Sequence, residues 1–233
     1  PAIADWKRAH PDRALVVALT GTDLYRDVPA GDADALASIA EADRLVVLQE
    51  DAPQHLPAVR RPYASVVVQS ARTLVPWARK SATRLNAILV GHLRDEKDPR
   101  TALAAWRMLP SDVPATLTIV GAALDPAIAD DVRAAVAADS RVRWLGARPH
   151  AWTRQAIRRA HVLVVASRME GGANVVAEAL ASGTPVIGTR MSGNLGMLGA
   201  DYPGYFEVGD AAGLASAIAR AARDRRWLAS LAR

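Results

Sequence analysis

The chain has 233 residues, 51% of them hydrophobic, a formal net charge of +5 and no cysteine. That length holds one large domain or two small ones with an ample core. No apolar run reaches the ~18 residues of a membrane span, and the lack of cysteine excludes a disulfide framework or a thiolate metal site. The basic residues are nearly all arginine and are scattered along the chain, and aromatic residues make up only 5%. A nucleic-acid partner is therefore not expected, whereas small polyanions such as nucleotides or phosphates suit the charge. The absence of cysteine and of a visible signal peptide fits a cytoplasmic location without stable membrane insertion. The first residue is Pro1 rather than Met, which suggests a fragment or a processed form.

In chain order, "AIADWKRA" over residues 2–9 predicts a helix. "ALVVALTG" is a short apolar run ended by glycine, hence a buried strand. "GDADALASIAEA" is helical, with Asp32 or Asp34 near its start, so the "DAD" there reads as helix capping rather than as a metal-binding acid pair. "RLVVLQ" is a second strand, "APQHLPAVR" a weak helix and "SVVVQS" a third strand. Residues 71–85 carry no clean period and read as a linker. The alternation then restarts: strand "AILVGHL", a helix from about Asp98 to Leu109, strand "TLTIVGA", a helix over about 126–138, strand "VRWLG" and a helix over about 151–159. Strand "VLVVAS", a helix over about 173–182, strand "PVIGT", a glycine-rich loop, strand "YFEVG" and terminal helices complete it. Apolar strands alternating with helices indicate parallel sheets covered on both faces. The expected fold is α/β: one complete doubly wound Rossmann-like domain over residues 86–233, preceded by about half of a second one over residues 1–70.

In open parallel sheets, ligands bind beyond the carboxyl ends of the strands. The polar and glycine-rich clusters fall there. "TGTD" places Gly21, Thr22 and Asp23 at a strand end, either as an acceptor site or as a glycine turn with an Asp cap. "GHLRDEKD" supplies His92, Arg94 and Lys97 ahead of a helix opening at Asp98-Pro99, either as a solvated charged loop or with Lys97 placed to neutralise a diphosphate leaving group. "LGARPH" brings Gly146. "SRMEGGANVVAEAL" carries Glu170, then Gly171 and Gly172, whose missing side chains let backbone approach a ligand closely. Asn174 and Glu178 follow, four residues apart on one flank of a stripe formed by Val175, Val176, Ala179 and Leu180. Two acids at two depths match the separated hydroxyl sets of a nucleotide sugar. Spacing alone equally allows one acid favouring a helix dipole and one surface glutamate. The five histidines lack metal-ligand spacing, so no metal site is expected.

Taken together, these segments resemble a known family. "EGGANVVAE" resembles the E-x7-E motif of GT-B glycosyltransferases, particularly the family-4-like group. "SGTPVIGT" is similar to that group's "GTPV" strand, "VGHL…EK" to its "VGRL…EKG" phosphate loop and "RVRWLG" to its base-binding strand. The resemblance implies that Lys97 contacts the donor diphosphate, Glu170 the donor sugar and Glu178 the ribose. His92 stands where the group has an arginine, with Arg94 as the substitute. "SGNLGM" replaces the usual "GGxPE" loop. A narrower resemblance, carried by "VVALTGTDLYRD", "GHLRDEKDP", "SRMEGGANVVAEAL" and "LGADYPGYFEVGD", is to the selenosugar synthases of selenoneine biosynthesis. It implies a UDP-sugar donor, typically UDP-N-acetylglucosamine, with selenophosphate as the second substrate and no cofactor. It also implies a further N-terminal stretch. The other readings are a hexosyltransferase with a sugar or lipid acceptor and a non-catalytic nucleotide-binding fragment.

Overall fold

The computed structural model describes residues 2–232. Pro1 and Arg233, the outer ends of the two expected domains, lie outside the described residues. The chain forms two compact units. The first comprises Pro1–Gln69, Met169–Ala173 and Ser192–Ala200, and the second Ser70–Arg168, Asn174–Met191 and Asp201–Arg233.

The first unit contains α1 (Ala2–Ala9), β1 (Val16–Ala18), α2 (Ala33–Glu41), β2 (Arg44–Val47) and β3 (Ala64–Val66). The strands form a parallel sheet in the order β1-β2-β3. Its core gathers Leu19, Leu24, Ile39, Leu45, Val47 and Leu56. Asp32 caps α2 by accepting from Ala35 N–H at 2.8 Å, so the acid pair at 32–34 opens a helix as its sequence suggested. The strands are shorter than their apolar runs. β1 is an edge strand with one face covered, and Val16 is 59% exposed. The weak helix expected over 52–60 is instead two short 3-10 turns, Ala52–His55 and Ala58–Tyr63. Pro53, Pro57 and Pro62 remove the amide donors that an α-helix needs.

The second unit runs β4 (Leu85–Val90), α3 (Pro99–Met108), β5 (Ala115–Val120), α4 (Pro126–Ala138), β6 (Val142–Trp144), α5 (His150–Arg159), β7 (Val162–Val165), α6 (Asn174–Leu180) and β8 (Val186–Thr189). Past α7 (Ser192–Leu198), which belongs to the first unit, come β9 (Tyr205–Phe206), α8 (Ala211–Arg223) and α9 (Arg225–Ser230). The six strands are all parallel, in the order β6-β5-β4-β7-β8-β9. Strand order reverses between β4 and β7. Right-handed crossovers therefore set α3 and α4 on one face and α5 and α6 on the other. Leu117, Ile119, Ile128, Val132, Trp106 and Ile218 fill the core.

Two expectations fail here. The "SGNLG" stretch is a helix, α7, not a glycine-rich loop. Its glycines permit close approach: a Cβ on Gly193 would lie 2.1 Å from the Glu170 carbonyl oxygen, and one on Gly196 1.7 Å from Gln49 Oε1. Nor is the larger sheet covered on both faces throughout. In β5, Ala115, Leu117 and Ile119 are buried while Thr116 and Thr118 are only half-buried. This alternation is that of a strand with one open face.

The segment between β3 and β4 has no regular structure, and from Ser70 onward it is strapped to the second unit. Leu74 N–H donates to Ala181 O at 2.8 Å and Arg158 Nε to Val75 O at 2.5 Å. Buried His161 accepts the Asn86 N–H through Nδ1 at 2.9 Å and donates from Nε2 to Ser81 O at 2.8 Å. Both ring nitrogens are satisfied only in the neutral form, because protonating Nδ1 would set two donors against each other. Burial, foremost, holds the His161 pKa below its usual value. This stabilisation is complete above about pH 6.5, the unfolded value, and is lost as pH falls through the lower folded value. Urea unfolding at pH 7.5 and 5.5 should show a drop in stability that His161→Asn, which cannot titrate, reduces. An identical drop in both proteins would remove His161 as the cause.

Candidate functional site

Strand order reverses between β4 and β7, and open α/β sheets take ligands beyond the carboxyl ends of their strands at such a point. The loop after β4 contains His92, Arg94 and Lys97 and ends at Asp98, the N-cap of α3. Asp98 is 3% exposed and adopts a left-handed backbone (φ 42°), a conformation Asp tolerates better than most residues. Its carboxylate accepts from Thr101 N–H at 3.2 Å, from Thr101 Oγ1 at 2.7 Å and from Arg168 Nε at 3.1 Å. Arg168 N–H also donates to Glu96 O at 2.9 Å. The β4 loop is thereby clasped to the end of the β7 segment across the switch point.

Half-buried Lys97 ends a 3-10 turn, Asp95–Lys97, inside this clasp. Its methylenes cross Gly91: a Cβ there would lie 3.2 and 3.3 Å from Lys97 Cδ and Cγ. Exposed His92 accepts the Ala122 N–H through Nδ1 at 3.0 Å, so its neutral form carries the proton on Nε2. Arg94 is half exposed, with Nε 3.7 Å from Glu96 Oε2. Of the three basic groups, Lys97 has the most closely defined course.

Gly146 follows β6 with φ +68° and open space around it. Its glycine answers a backbone requirement, and its carbonyl accepts from Gly121 N–H at 2.9 Å. Four residues on, His150 opens α5. Its Nε2 lies 2.5 Å from Glu178 Oε1. Glu178 is only 7% exposed, buried on α6 as are Val176, Ala177 and Ala179. The expected stripe is thus rotated: Leu180 is 46% exposed and Asn174 is exposed. A carboxylate so deep needs a partner, and His150 supplies one. Sequence reasoning passed over His150 and Arg168. Each lay within four residues of one it did select, but no spacing rule pairs residues 28 or 70 positions apart.

Glu170, Gly171 and Gly172 belong to the first unit, as do Gly21, Thr22 and Asp23. Asp23 Oδ2 accepts from Thr20 N–H at 2.6 Å and Thr20 Oγ1 at 2.9 Å, which is the Asp-closed turn. Thr22 precedes a π-helical turn, Asp23–Asp27. A Cβ on Gly171 would lie 2.4 Å from Gly21 N, one on Gly21 2.7 Å from Gly171 N, and one on Gly172 2.8 Å from Leu48 Cβ. The close approach these glycines allow in the structure is between loops of this unit. Beside them, fully buried Gln49 donates from Nε2 to Tyr25 Oη at 2.7 Å, and Ser192 Oγ donates to Asp51 Oδ2 at 2.5 Å. Burial, above all, pushes the Tyr25 phenol pKa up. Among the described residues, no group of three or more His, Asp or Glu is arranged to hold a metal ion, and no helix is long and apolar enough to cross a membrane.

A unit built on a six-stranded parallel sheet with this order and switch point, together with a smaller parallel α/β unit, matches the fold of GT-B glycosyltransferases. The family model described as "Glycosyl transferases group 1" matches residues 84–224, more than half the chain, and the protein belongs to that family. No curated protein matches the chain. Among solved structures, sucrose-phosphate synthase from Thermosynechococcus elongatus is 22% identical, with a TM-score of 0.77, 98% of this chain and 64% of that one covered. Anabaena HepE in complex with UDP is 19% identical, with a TM-score of 0.77 and coverage of 99% and 68%. An S. aureus TarM mutant in complex with fondaparinux, alpha-GlcNAc-glycerol and UDP is 14% identical, with a TM-score of 0.77 and coverage of 96% and 46%. The chain spans about half to two thirds of the length of these proteins.

Asp98→Ala removes an N-cap, unpairs Arg168 and leaves a residue less suited to the left-handed backbone. A loss of ~2–4 kcal/mol in unfolding free energy is expected, read by chemical denaturation. A loss below about 0.5 kcal/mol, the range of an ordinary surface change, would show that the clasp does not hold the loop.

Proposed function

We propose that this chain is the nucleotide-sugar-binding part of a glycosyltransferase that uses a UDP-sugar. What supports the reading is a clasped lysine loop after β4 and a buried glutamate in the helix after β7, the two strands at which the sheet order reverses. In this reading Lys97, aided by Arg94 or His92, stabilises the charge that develops on departing UDP. Glu178 accepts from the ribose hydroxyls, with His150 holding its carboxylate, and Glu170 accepts from the donor sugar. Gly146 lies beside the base and Asn174 opens the helix that bears Glu178. Family membership and the UDP bound in HepE and TarM support the donor class.

The finer reading rests on the motifs that resemble selenosugar synthases. The donor is then UDP-N-acetylglucosamine and the second substrate selenophosphate, taken by the Gly21-Thr22-Asp23 turn. The selenium attacks the anomeric carbon, a C–Se bond forms as the C–O bond to UDP breaks, and water then cleaves the P–Se bond to release phosphate. Selenium in selenophosphate is already anionic, so the attack needs no general base. No metal or cofactor enters this scheme, and the reaction belongs in the cytoplasm.

Calorimetry should show UDP binding to the chain as it stands, in preference to ADP. Glu178→Gln should weaken UDP by ~1–3 kcal/mol, because an amide presents donors to hydroxyls that need an acceptor. Glu170→Gln should spare UDP and weaken the UDP-sugar. In a chain that turns over, Lys97→Ala should lower kcat by ~10²-fold or more. No UDP binding by folded protein would remove the nucleotide assignment. Binding with no UDP release on adding selenophosphate, but release with a sugar or lipid acceptor, would make it a hexosyltransferase. No release with any of the three would leave this chain a nucleotide-binding fragment.

A further inference from the structure

The open face of the larger sheet is not featureless. Cα pairing sets Ile88, Thr118 and Arg143 side by side across β4, β5 and β6, and Asn86 beside Thr116 in the next row. Partners in parallel register point to the same face. With α5 along one side, these residues line a groove of about 320 Å³ within the second unit. That volume lies within the range of small-molecule sites.

The groove's chemistry is one-sided. Arg84, Arg143 and Arg159 line it and no carboxylate does. Among the described residues, none of the three is ion-paired; Arg159 instead lies over the Trp77 ring at 5.1 Å. Some other arginines of this unit do find acids, as Arg100 does with Asp131, Arg141 with Asp139 and Arg223 with Asp112. Uncompensated guanidiniums around a concave site attract an anion, and their planar fork suits phosphate oxygens. Trp152, 41% exposed, forms part of the wall. Its indole offers a stacking surface, with Arg148 5.8 Å from the ring centroid. Thr116 donates to Asn86 Oδ1 at 3.1 Å, so part of the floor is polar and uncharged.

We propose that this groove binds a small aromatic phosphomonoester, its phosphate held by Arg143 with Arg84 and Arg159 and its ring lying on Trp152. Neither Lys97 nor Glu178 lines the groove. It does not depend on the glycosyltransferase reading.

Calorimetric titration of the whole chain with phenyl phosphate tests it. One saturable site is expected. Arg143→Glu should weaken it by about ten-fold or more, since it replaces an attractive charge with a repulsive one at an exposed position. Trp152→Ala should weaken phenyl phosphate several-fold while leaving inorganic phosphate unchanged. Circular dichroism checks that each variant is folded, and Arg84→Glu replaces Arg143→Glu if that one is not. The proposal is overturned if the wild type shows no saturable binding, or if the charge-reversed variant binds as the wild type does. It is likewise overturned if Trp152→Ala weakens both ligands equally.

Discussion

The candidate site depends first on one buried carboxylate. Asp98 ends the β4 loop, starts α3 and receives the Arg168 guanidinium at the end of the β7 segment. A nearly buried acid is costly unless its oxygens are occupied. Here four demands meet in one side chain: a helix cap, a threonine hydroxyl, an arginine and a left-handed backbone. Because the same arginine's amide donates to Glu96 O, the turn bearing Lys97 is held from both of its sides. The lysine's course is then settled by Gly91, where even one methyl group would crowd its chain.

The His150–Glu178 pair applies the same logic on the other side of the switch point. A glutamate on a seven-residue helix would ordinarily face water. This one faces inward and is matched by an imidazole from a different helix. Lysine and glutamate are both presented by short segments, a three-residue turn and a seven-residue helix.

Much of the fold was legible because hydrophobic period and helix caps are local signals. Asp98-Pro99 and the Asp32/Asp34 pair marked helix starts, which the structure caps with Asp98 and Asp32. Alternation of strands and helices gave the parallel sheets. What was not legible depended partly on local residues and partly on partners distant in sequence. Prolines 53, 57 and 62 tightened an expected helix into 3-10 turns. The glycines of α7 read as loop because their spacing cannot show that Glu170 and Gln49 press against them. Thr116 and Thr118 did carry a local sign that β5 has an open face, but it was masked by the apolar residues around them. In the candidate site, Lys97 and Glu178 stood out by type and position, whereas Arg168 and His150 become meaningful only after folding.

The facing glycines at 21 and 171 carry an implication for how such a chain can diverge. A methyl group on either meets main-chain atoms of the other, not a side chain that could be trimmed. No second substitution nearby can therefore make room, because the obstacle has no side chain to shorten. Descendants of this sequence would have to keep both glycines or move a whole loop, and the two positions would drift together or not at all.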